Sequence, residues 1–382
     1  MNLRICAAAA SLLLLAACSS VEKLNPFGPS ERRSKPTELT PIQASAELKV
    51  VWQANVGSSG TGIFTPAIID DSVYAASRDG TVARFDSGKQ VWRISVGQAL
   101  SGGVGSDGKT VVVGTPKGEV LAFDADTGRE AWKARASSEI LAAPAVGEGL
   151  AVVRSGDARI FGFDAADGKR RWVYQRTTPA LSLRSSVGVL MAGRFSIAGF
   201  PGGKLVAISN GNGAAVWEVT VALPKGATEL ERVADVTSLP AISGGAICAT
   251  AFQGRVACFE ANSGNTLWAR DISSSAGLDA DGRGVFVTDD KGAVNAFDRN
   301  SGASIWKQDK LALRGVTRPL ALGSVVAVAD YQGMVHLLQR EDGSFSARQA
   351  TDGSPIKANL QRYGSGLLAQ TTNGGLYALE LR

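Results

Sequence analysis

The chain has 382 residues, and 40 lysines and arginines against 35 aspartates and glutamates give it a net charge of +5. The basic residues are scattered among the acidic ones, with no basic run and no patch interleaved with aromatic residues, which argues against a nucleic-acid partner. The 45 glycines and the charged fraction of 20% are typical of an all-β protein rich in turns.

Residues 1–17 have the pattern of an export signal, in which Arg4 precedes an apolar run too short to span a bilayer as a retained helix. The run ends in Leu15-Ala16-Ala17-Cys18, which resembles a bacterial lipobox and implies cleavage before Cys18 and acylation of that residue. Ser19 follows, and in enterobacterial-type sorting a residue other than aspartate at this position implies the outer membrane. A plain secretory signal that contains a cysteine is the alternative.

Residues 18–47 are polar and contain prolines, with few side chains that could be buried. We expect them to form a flexible lipidated tether between the membrane and a folded domain of residues 48–382.

The folded region repeats one unit, which is clearest in Gly118–Trp132. This unit reads as a strand, a tight turn that contains Gly128, and a second strand that ends on tryptophan. Eight copies share the spacing, with a bulky apolar residue five positions after the first residue and, in a complete copy, tryptophan fourteen positions after it. Copy one has a turn two residues shorter, so its tryptophan comes two positions earlier. Copy seven has Ala347 in place of tryptophan, and copy eight ends before its own. The tryptophans of the other copies are Trp92, Trp132, Trp172, Trp217, Trp268 and Trp306.

The remaining tryptophan, Trp52, lies in KVVWQA at the start of the folded region, and this strand is what the last copy lacks. Its pairing with the C-terminal GGLYALEL would join the first and last units into a ring. Units of about forty residues have the size of four-stranded propeller blades. The sequence therefore predicts an all-β, eight-bladed β-propeller with four antiparallel strands per blade. An open solenoid, the competing architecture, would need polar caps at both ends.

Few residues of the folded region could carry catalysis. It has one histidine, His336, no nucleophile elbow and no cluster with zinc spacing, and the Asp124–Gly128 turn lacks the remaining ligands of a calcium loop. We therefore expect no catalytic residue and no metal site. Cys248 and Cys258 flank a turn symmetrically, and either a cross-strand disulfide or two buried free thiols would fit.

Two links between consecutive units point to protein binding. The link from Trp217 to Pro240 spans 23 residues, whereas the link from Trp132 to Pro144 spans 12, and long loops on a rigid scaffold often carry function. The preceding link contains Leu181 and Leu183, which alternate outward, followed by Arg184. The long link contains Glu229, Glu231 and Asp235. Apolar residues and an arginine beside carboxylates are typical of a protein-binding rim, with ordinary loop packing as the alternative.

The tryptophan repeat resembles that of pyrroloquinoline-quinone dehydrogenases, in which each tryptophan packs on the neighbouring blade. The chain lacks the adjacent cysteine pair of those enzymes and any long insertion to close over a quinone, and we expect no cofactor. A periplasmic propeller that binds glycan or peptide on its axis is a second alternative. That function would need aromatic or charged residues facing the axis, whereas the proposed inner strands TPAI, AAPAV and LPAI are small and apolar.

Together, the lipobox, the tether, the eight tryptophan-docking copies and the two links resemble the BamB family, the propeller lipoproteins of the bacterial β-barrel assembly machinery. The resemblance covers the whole mature chain. It implies a non-enzymatic scaffold, lipid-anchored to the outer membrane and facing the periplasm, that binds the POTRA domains of BamA and assists insertion of outer-membrane proteins. Nascent outer-membrane proteins, held by β-augmentation, are a further implied partner.

The resemblance also implies which residues bind the partner. The positions that match the family's binding residues are Leu181, Leu183, Arg184 and Asp235. Thr237 stands where the family has a second aspartate, so one electrostatic contact is expected to be weaker here.

Overall fold

The computed structural model describes residues 35–382; residues 1–34, with Cys18 and the expected export signal, lie outside the described residues. Thirty-three strands and no helix occupy the described part of the chain. The strands form eight sheets arranged as the blades of a ring, and within each blade four strands pair antiparallel. They follow sequence order in every blade except the eighth, whose outer strand is the first strand of the folded region. The predicted all-β, eight-bladed propeller is confirmed.

The strands follow one another blade by blade. Blades one and two contain β3 (Ala67–Ile69), β4 (Ser72–Ala76), β5 (Thr81–Asp86), β6 (Lys89–Ser95), β7 (Gly102–Ser106), β8 (Thr110–Gly114), β9 (Glu119–Asp124) and β10 (Glu130–Arg135). Blades three and four contain β11 (Ala145–Gly147), β12 (Leu150–Arg154), β13 (Ile160–Asp164), β14 (Arg170–Tyr174), β15 (Leu190–Ala192), β16 (Phe195–Phe200), β17 (Lys204–Ser209) and β18 (Ala215–Thr220). Blades five and six contain β19 (Ala241–Ser243), β20 (Ala246–Thr250), β21 (Arg255–Glu260), β22 (Thr266–Asp271), β23 (Gly277–Ala280), β24 (Gly284–Thr288), β25 (Val294–Asp298) and β26 (Ser304–Gln308). Blades seven and eight contain β27 (Leu320–Leu322), β28 (Val325–Ala329), β29 (Met334–Gln339), β30 (Phe345–Ala350), β31 (Gln361–Tyr363), β32 (Gly366–Gln370), β33 (Gly375–Leu381) and β1 (Leu48–Asn55).

The ring closes through β1, as the sequence predicts. This strand pairs antiparallel with β33 in a register that runs from Leu48 opposite Leu381 to Asn55 opposite Gly375. The N-terminal strand is thereby the outer strand of blade eight, so no blade lacks its fourth strand. One pairing was not predicted: β2 (Ile63–Phe64) adds to β7 in parallel and gives blade two a fifth strand.

Adjacent blades are joined by the repeated tryptophan and the repeated turn glycine. The indole of Trp132 donates a hydrogen bond from Nε1 to the carbonyl of Ala165 in the next blade, at 2.8 Å. Gly168 lies so close to this indole that a Cβ there would come within 2.6 Å of the ring, and its φ of +72° also favours glycine. The same contact is made by Gly128 with Trp92, Gly213 with Trp172, Gly264 with Trp217, Gly302 with Trp268 and Gly343 with Trp306.

Two junctions depart from this pattern. Trp52 of blade eight packs against Gly88, but its Nε1 donates to the hydroxyl of Tyr363 in its own blade, at 3.2 Å. The turn of copy one is two residues shorter than the others, which accounts for the missing carbonyl acceptor. In blade seven, Ala347 occupies the tryptophan position and is buried.

Residues 37–47, which the sequence assigns to the tether, lie along blade seven. The backbone N–H groups of Ser45 and Ala46 both donate to the carbonyl of Ser346, at 2.9 and 3.2 Å. Arg314 and Arg348 donate to the carbonyls of Thr37 and Thr40, each at 3.0 Å. The outer strand of the blade that lacks a docking tryptophan is thus covered by this segment.

Each outer strand carries one β-bulge immediately before its docking position. A bulge leaves one residue unpaired and kinks a strand edge, which hinders edge-to-edge pairing with other chains. Several of the exposed large apolar side chains of this protein lie at these bulge positions. The bulged residues are Val51, Val91, Ala131, Arg171, Val216, Leu267, Ile305 and Ser346.

Cys248 and Cys258 lie directly opposite each other on β20 and β21 and form a disulfide, with their Cα atoms 4.0 Å apart. Of the two arrangements that fit the sequence, the structure has the cross-strand disulfide. Both residues are buried in the core between blades five and six.

Candidate protein-binding site

The links between blades emerge together on one face of the ring, which we call the link face. Each link runs from the outer strand of one blade to the inner strand of the next, and since the strands alternate in direction, all links lie at the same end of the blades. Residues 175–189 form the link from blade three to blade four, and residues 221–240 form the link from blade four to blade five. The two loops that the sequence singled out are therefore neighbours.

The loop at residues 181–184 presents apolar and cationic groups to solvent. The side chains of Leu181 and Leu183 are 40% and 38% exposed, although neither occupies a bulge position. Arg184 follows with a side chain 73% exposed, and its guanidinium lies 3.5 Å from the carboxylate of Glu139 in the link from blade two to blade three. A hydrogen bond from Ser138 is the largest effect that lowers the pKa of Glu139, and the charge of Arg184 makes a smaller contribution in the same direction. This exposed ion pair leaves most of the arginine free to bind another protein.

Asp235 lies beneath this loop and not on the surface beside it. The sequence suggested an exposed acidic contact, but only 2% of Asp235 is accessible. Its carboxylate accepts one hydrogen bond from the backbone N–H of Leu183, at 2.7 Å, and another from that of Gly202, at 3.0 Å. Asp235 therefore fixes the position of Leu183 and connects the two links. It makes no ion pair with Arg184 in the described part of the chain.

A partly buried arginine accompanies this carboxylate. Arg154 stacks over the ring of Phe200, with its Cζ 5.3 Å from the ring centroid, and donates to the carbonyl of Gly199. Burial lowers the pKa of Arg154 to about 10, and the charge of Asp235 opposes that shift. Arg154 remains cationic at neutral pH, so the negative charge of Asp235 is partly balanced from within the protein.

The longer link carries two leucines that sequence reasoning missed. Leu223 and Leu230 are 62% and 72% exposed, more than any other large apolar side chain among the described residues. A single turn presents Leu230, because the carboxylate of Glu231 accepts hydrogen bonds from the backbone N–H groups of Ala227 and Thr228, at 2.9 and 3.0 Å. The Thr-x-x-Glu pattern at positions 228–231, typical of a capping box, was the available signal.

The other polar residues noted in the sequence make contacts within the protein that explain their presence without a catalytic role. His336 is fully buried, and its ring nitrogens face Asp330, at 3.1 Å, and Arg348, at 3.2 Å. Asp124 accepts hydrogen bonds from the backbone and hydroxyl of Thr127, which hold its pKa below the usual range. Thr237 is half-buried at the inner end of its link. Within residues 35–382, no group of three or more His, Cys, Asp or Glu side chains is arranged to hold a metal ion.

Comparison with known proteins gives one consistent result. The family model described as outer membrane protein assembly factor BamB matches residues 78–308 and 291–382. The outer membrane protein assembly factor BamB of Bordetella pertussis is 45% identical over 96% of this chain and 94% of its own length. Its counterpart in Burkholderia pseudomallei is 42% identical over 98% of this chain and 97% of its own length. The crystal structure of BamB from Moraxella catarrhalis superposes with a TM-score of 0.81 at 28% identity, covering 87% of this chain and all of that one.

Proposed function

Because the chain belongs to the BamB family of outer membrane protein assembly factors, we propose that it is a non-enzymatic scaffold that binds the POTRA domains of BamA. In this role it assists the folding and insertion of outer-membrane proteins, and nascent outer-membrane proteins are a further partner. We propose the outer membrane as its location, with the propeller facing the periplasm and the chain anchored through an acylated Cys18 after removal of residues 1–17.

One observation carries the proposal for the binding site. Leu181, Leu183 and Arg184 are exposed on a loop whose backbone is fixed from below by the buried carboxylate of Asp235. A fixed loop loses little conformational freedom on binding, so apolar and arginine side chains displayed on it contribute efficiently to affinity. The contact is proposed to be made by Leu181, Leu183 and Arg184, with Asp235 as a positioning residue.

The absence of catalysis is proposed from the surroundings of the histidine and of the recurring aspartates. A general base must be reachable by its substrate, and the one histidine of the sequence, His336, is enclosed in blade seven. The recurring aspartates are engaged in their own turns, as the bonds of Asp124 and Asp298 show. The exposed chemistry of the link face is that of protein binding.

The first test removes side chains that are proposed to make the contact. The double substitution Leu183→Ala with Arg184→Ala should weaken binding to the POTRA domains of BamA at least about tenfold, because truncating an arginine anchor at an interface costs about 2 kcal/mol or more. The measurement is calorimetric titration with the full-length protein in non-ionic detergent. Thermal melting should change little, since both side chains are exposed.

The matched control is Leu267→Ala with Arg129→Ala, which removes an exposed leucine and an exposed arginine away from the two links. It should leave the affinity unchanged. Unaltered binding by the Leu183 and Arg184 variant would place the interface elsewhere, and a large fall in its melting temperature would make the two residues structural.

Asp235→Ala distinguishes positioning from direct contact. We expect it to weaken binding when Leu183 and Arg184 are intact, and to have little further effect once both are alanine, because it acts through the same loop. It should also increase amide hydrogen exchange at Leu183 and Gly202, whose N–H groups would lose their acceptor. Fully additive losses of affinity would indicate that the carboxylate contacts the partner itself.

A further inference from the structure

The axis of the propeller opens on the link face as a cavity of about 920 Å³. The links and the beginnings of the inner strands form its wall, much of which is apolar, with Ile63, Pro66 and Val104 among the lining residues. The small apolar inner strands expected from the sequence are present, and the charged groups at this opening come from the link ends and from β31. We call this opening the channel mouth.

The charged residues of the channel mouth all have the same sign. Its lining includes Arg184, Arg318, Lys357 and Arg362, and none of the lining residues is an aspartate or glutamate. These four cations come from different parts of the ring: the link from blade three to blade four, the link from blade six to blade seven, the link from blade seven to blade eight, and β31. The ring therefore brings to one opening cations that are up to 178 positions apart in the chain.

These positive charges are only partly neutralised by the protein. Arg318 lies 3.3 Å from Asp279 and Arg184 lies 3.5 Å from Glu139. Arg362 donates to the backbone carbonyl of Ala321, at 2.5 Å, which satisfies a donor without cancelling the charge. Neither Lys357 nor Arg362 forms an ion pair with a carboxylate of residues 35–382, and both are exposed. A concave site with cations of one sign and apolar walls concentrates a positive potential.

We propose that the channel mouth is a second binding site, which takes an acidic segment of a polypeptide. Carboxylate side chains are suited to this site, because lysine offers a point charge and arginine a two-pronged donor to carboxylate oxygens. The cavity is larger than a single small anion requires, and a concave site favours a chain that enters it over a flat membrane surface. Leu183 and Arg184 line the channel mouth and also belong to the exposed loop, whereas Leu181 of that loop lies outside the lining.

The test measures binding of a fluorescein-labelled hexaglutamate peptide to the full-length protein in non-ionic detergent, by fluorescence anisotropy at 50 mM salt. We expect saturable binding that weakens as salt is raised to 300 mM, and no binding of hexaglutamine. The double substitution Lys357→Glu with Arg362→Glu should weaken hexaglutamate binding at least about tenfold. Because both side chains are exposed, this variant should fold, and Lys357→Gln with Arg362→Gln provides a milder change at the same positions.

The matched control is Lys109→Glu with Arg129→Glu, which changes the net charge equally at the opposite face. Lys109 lies in the turn between β7 and β8 and Arg129 in the turn between β9 and β10, at the blade end away from the links. This control should bind hexaglutamate within about twofold of the unaltered protein. An equal loss of hexaglutamate affinity in the control would show that net charge alone explains the effect, and it would overturn the proposal.

Two further outcomes would overturn it. The first is no saturable binding of hexaglutamate at 50 mM salt. The second is binding to phosphatidylglycerol vesicles that depends on Lys357 and Arg362 while hexaglutamate does not bind, which would make the channel mouth a lipid site. The site is distinguishable from the proposed BamA contact, because Leu181→Ala, at a residue outside the lining of the channel mouth, should weaken binding of the POTRA domains and leave hexaglutamate binding intact.

Discussion

At the scale of single residues, the docking tryptophans hold neighbouring blades together by two different interactions. Trp132 is buried in the core shared by blades two and three, and its indole also satisfies the carbonyl of Ala165 across the boundary. Packing and hydrogen bonding can therefore be separated by substitution. Phenylalanine keeps much of the apolar area and loses the donor, whereas alanine loses both.

We predict that Trp132→Ala lowers the free energy of unfolding by about 3–5 kcal/mol, as large truncations in a packed core do. Trp132→Phe should cost less, on the order of 1–3 kcal/mol, because the buried carbonyl of Ala165 loses the indole donor. That carbonyl keeps only a long hydrogen bond from the hydroxyl of Thr110, at 3.5 Å. Urea unfolding followed by fluorescence gives both values. Ile305→Ala, at an exposed bulge position, is the control and should stay within about 0.5 kcal/mol. A loss below about 1 kcal/mol for the alanine variant would contradict the packing argument.

We expect the buried histidine of blade seven to make the stability of the protein depend on pH. Burial lowers the pKa of His336, against the opposing effect of Asp330. Because Nε2 faces the carboxylate of Asp330 and Nδ1 accepts from Arg348, the folded protein holds the imidazole neutral. Protonation would place an N–H at Nδ1 opposite the N–H of the arginine. The unfolded chain has no such restriction and takes up the proton more readily.

The direction of this pH dependence follows from the lowered pKa of His336. The contribution of His336 is fully present above its ordinary pKa of 6.5 and is lost as pH falls from that value toward the lower pKa of the folded protein. We therefore expect the melting temperature to decrease between pH 7.5 and pH 5. His336→Gln should be less stable at pH 7.5 but show a shallower decrease over this range. An equal slope in the two proteins would assign the pH dependence to other groups.

At the scale of the elements, β1 is the strand on which the ring depends. It supplies the outer strand of blade eight and pairs with β33 over its whole length. It also carries Trp52, against which the turn of blade one packs. Its loss would expose an unpaired edge on β33 and remove the contact between the first and last blades.

Deletion of residues 48–54 should therefore destabilise the propeller as a whole. The expected result is a clear fall in the melting temperature of the entire β-sheet signal in circular dichroism, without a separate transition for blade eight. Deletion of residues 20–26, in the tether that the sequence predicts, is the control of equal length; it keeps Ser19 and should leave the melting temperature unchanged. An unaltered melting temperature after loss of residues 48–54 would contradict closure by β1.

At the scale of the whole molecule, the two ends of the blades differ in the groups that they expose. The turns at one end place glycines and aspartates where they stabilise the chain locally, as Asp124 does with Thr127. The links at the other end carry the exposed loop of Leu181 and Leu183, the exposed leucines of the longer link, and the channel mouth. The link face therefore combines exposed apolar side chains with a cationic cavity.

The sequence by itself determined the architecture, because the signals for a blade are local. The turn glycine, the docking tryptophan four residues later and the alternating strands recur within about forty residues, so the tryptophans could be assigned to packing between blades from their spacing; the contact of Trp132 with Gly168 was seen only in the structure. The missing fourth strand of copy eight likewise identified β1 as its partner. The exposure of Leu181 and Leu183 was also correctly predicted from their alternation in a link.

Only the tertiary structure decided what depends on segments far apart in the chain. Asp235 is buried because its hydrogen-bond donors, Leu183 and Gly202, are 52 and 33 residues away, and no local pattern records that pairing. The disulfide of Cys248 and Cys258 required the strand register to place the two residues opposite each other. The cations of the channel mouth meet only because the ring closes, since Coulomb interactions depend on distances in space that sequence separation does not define.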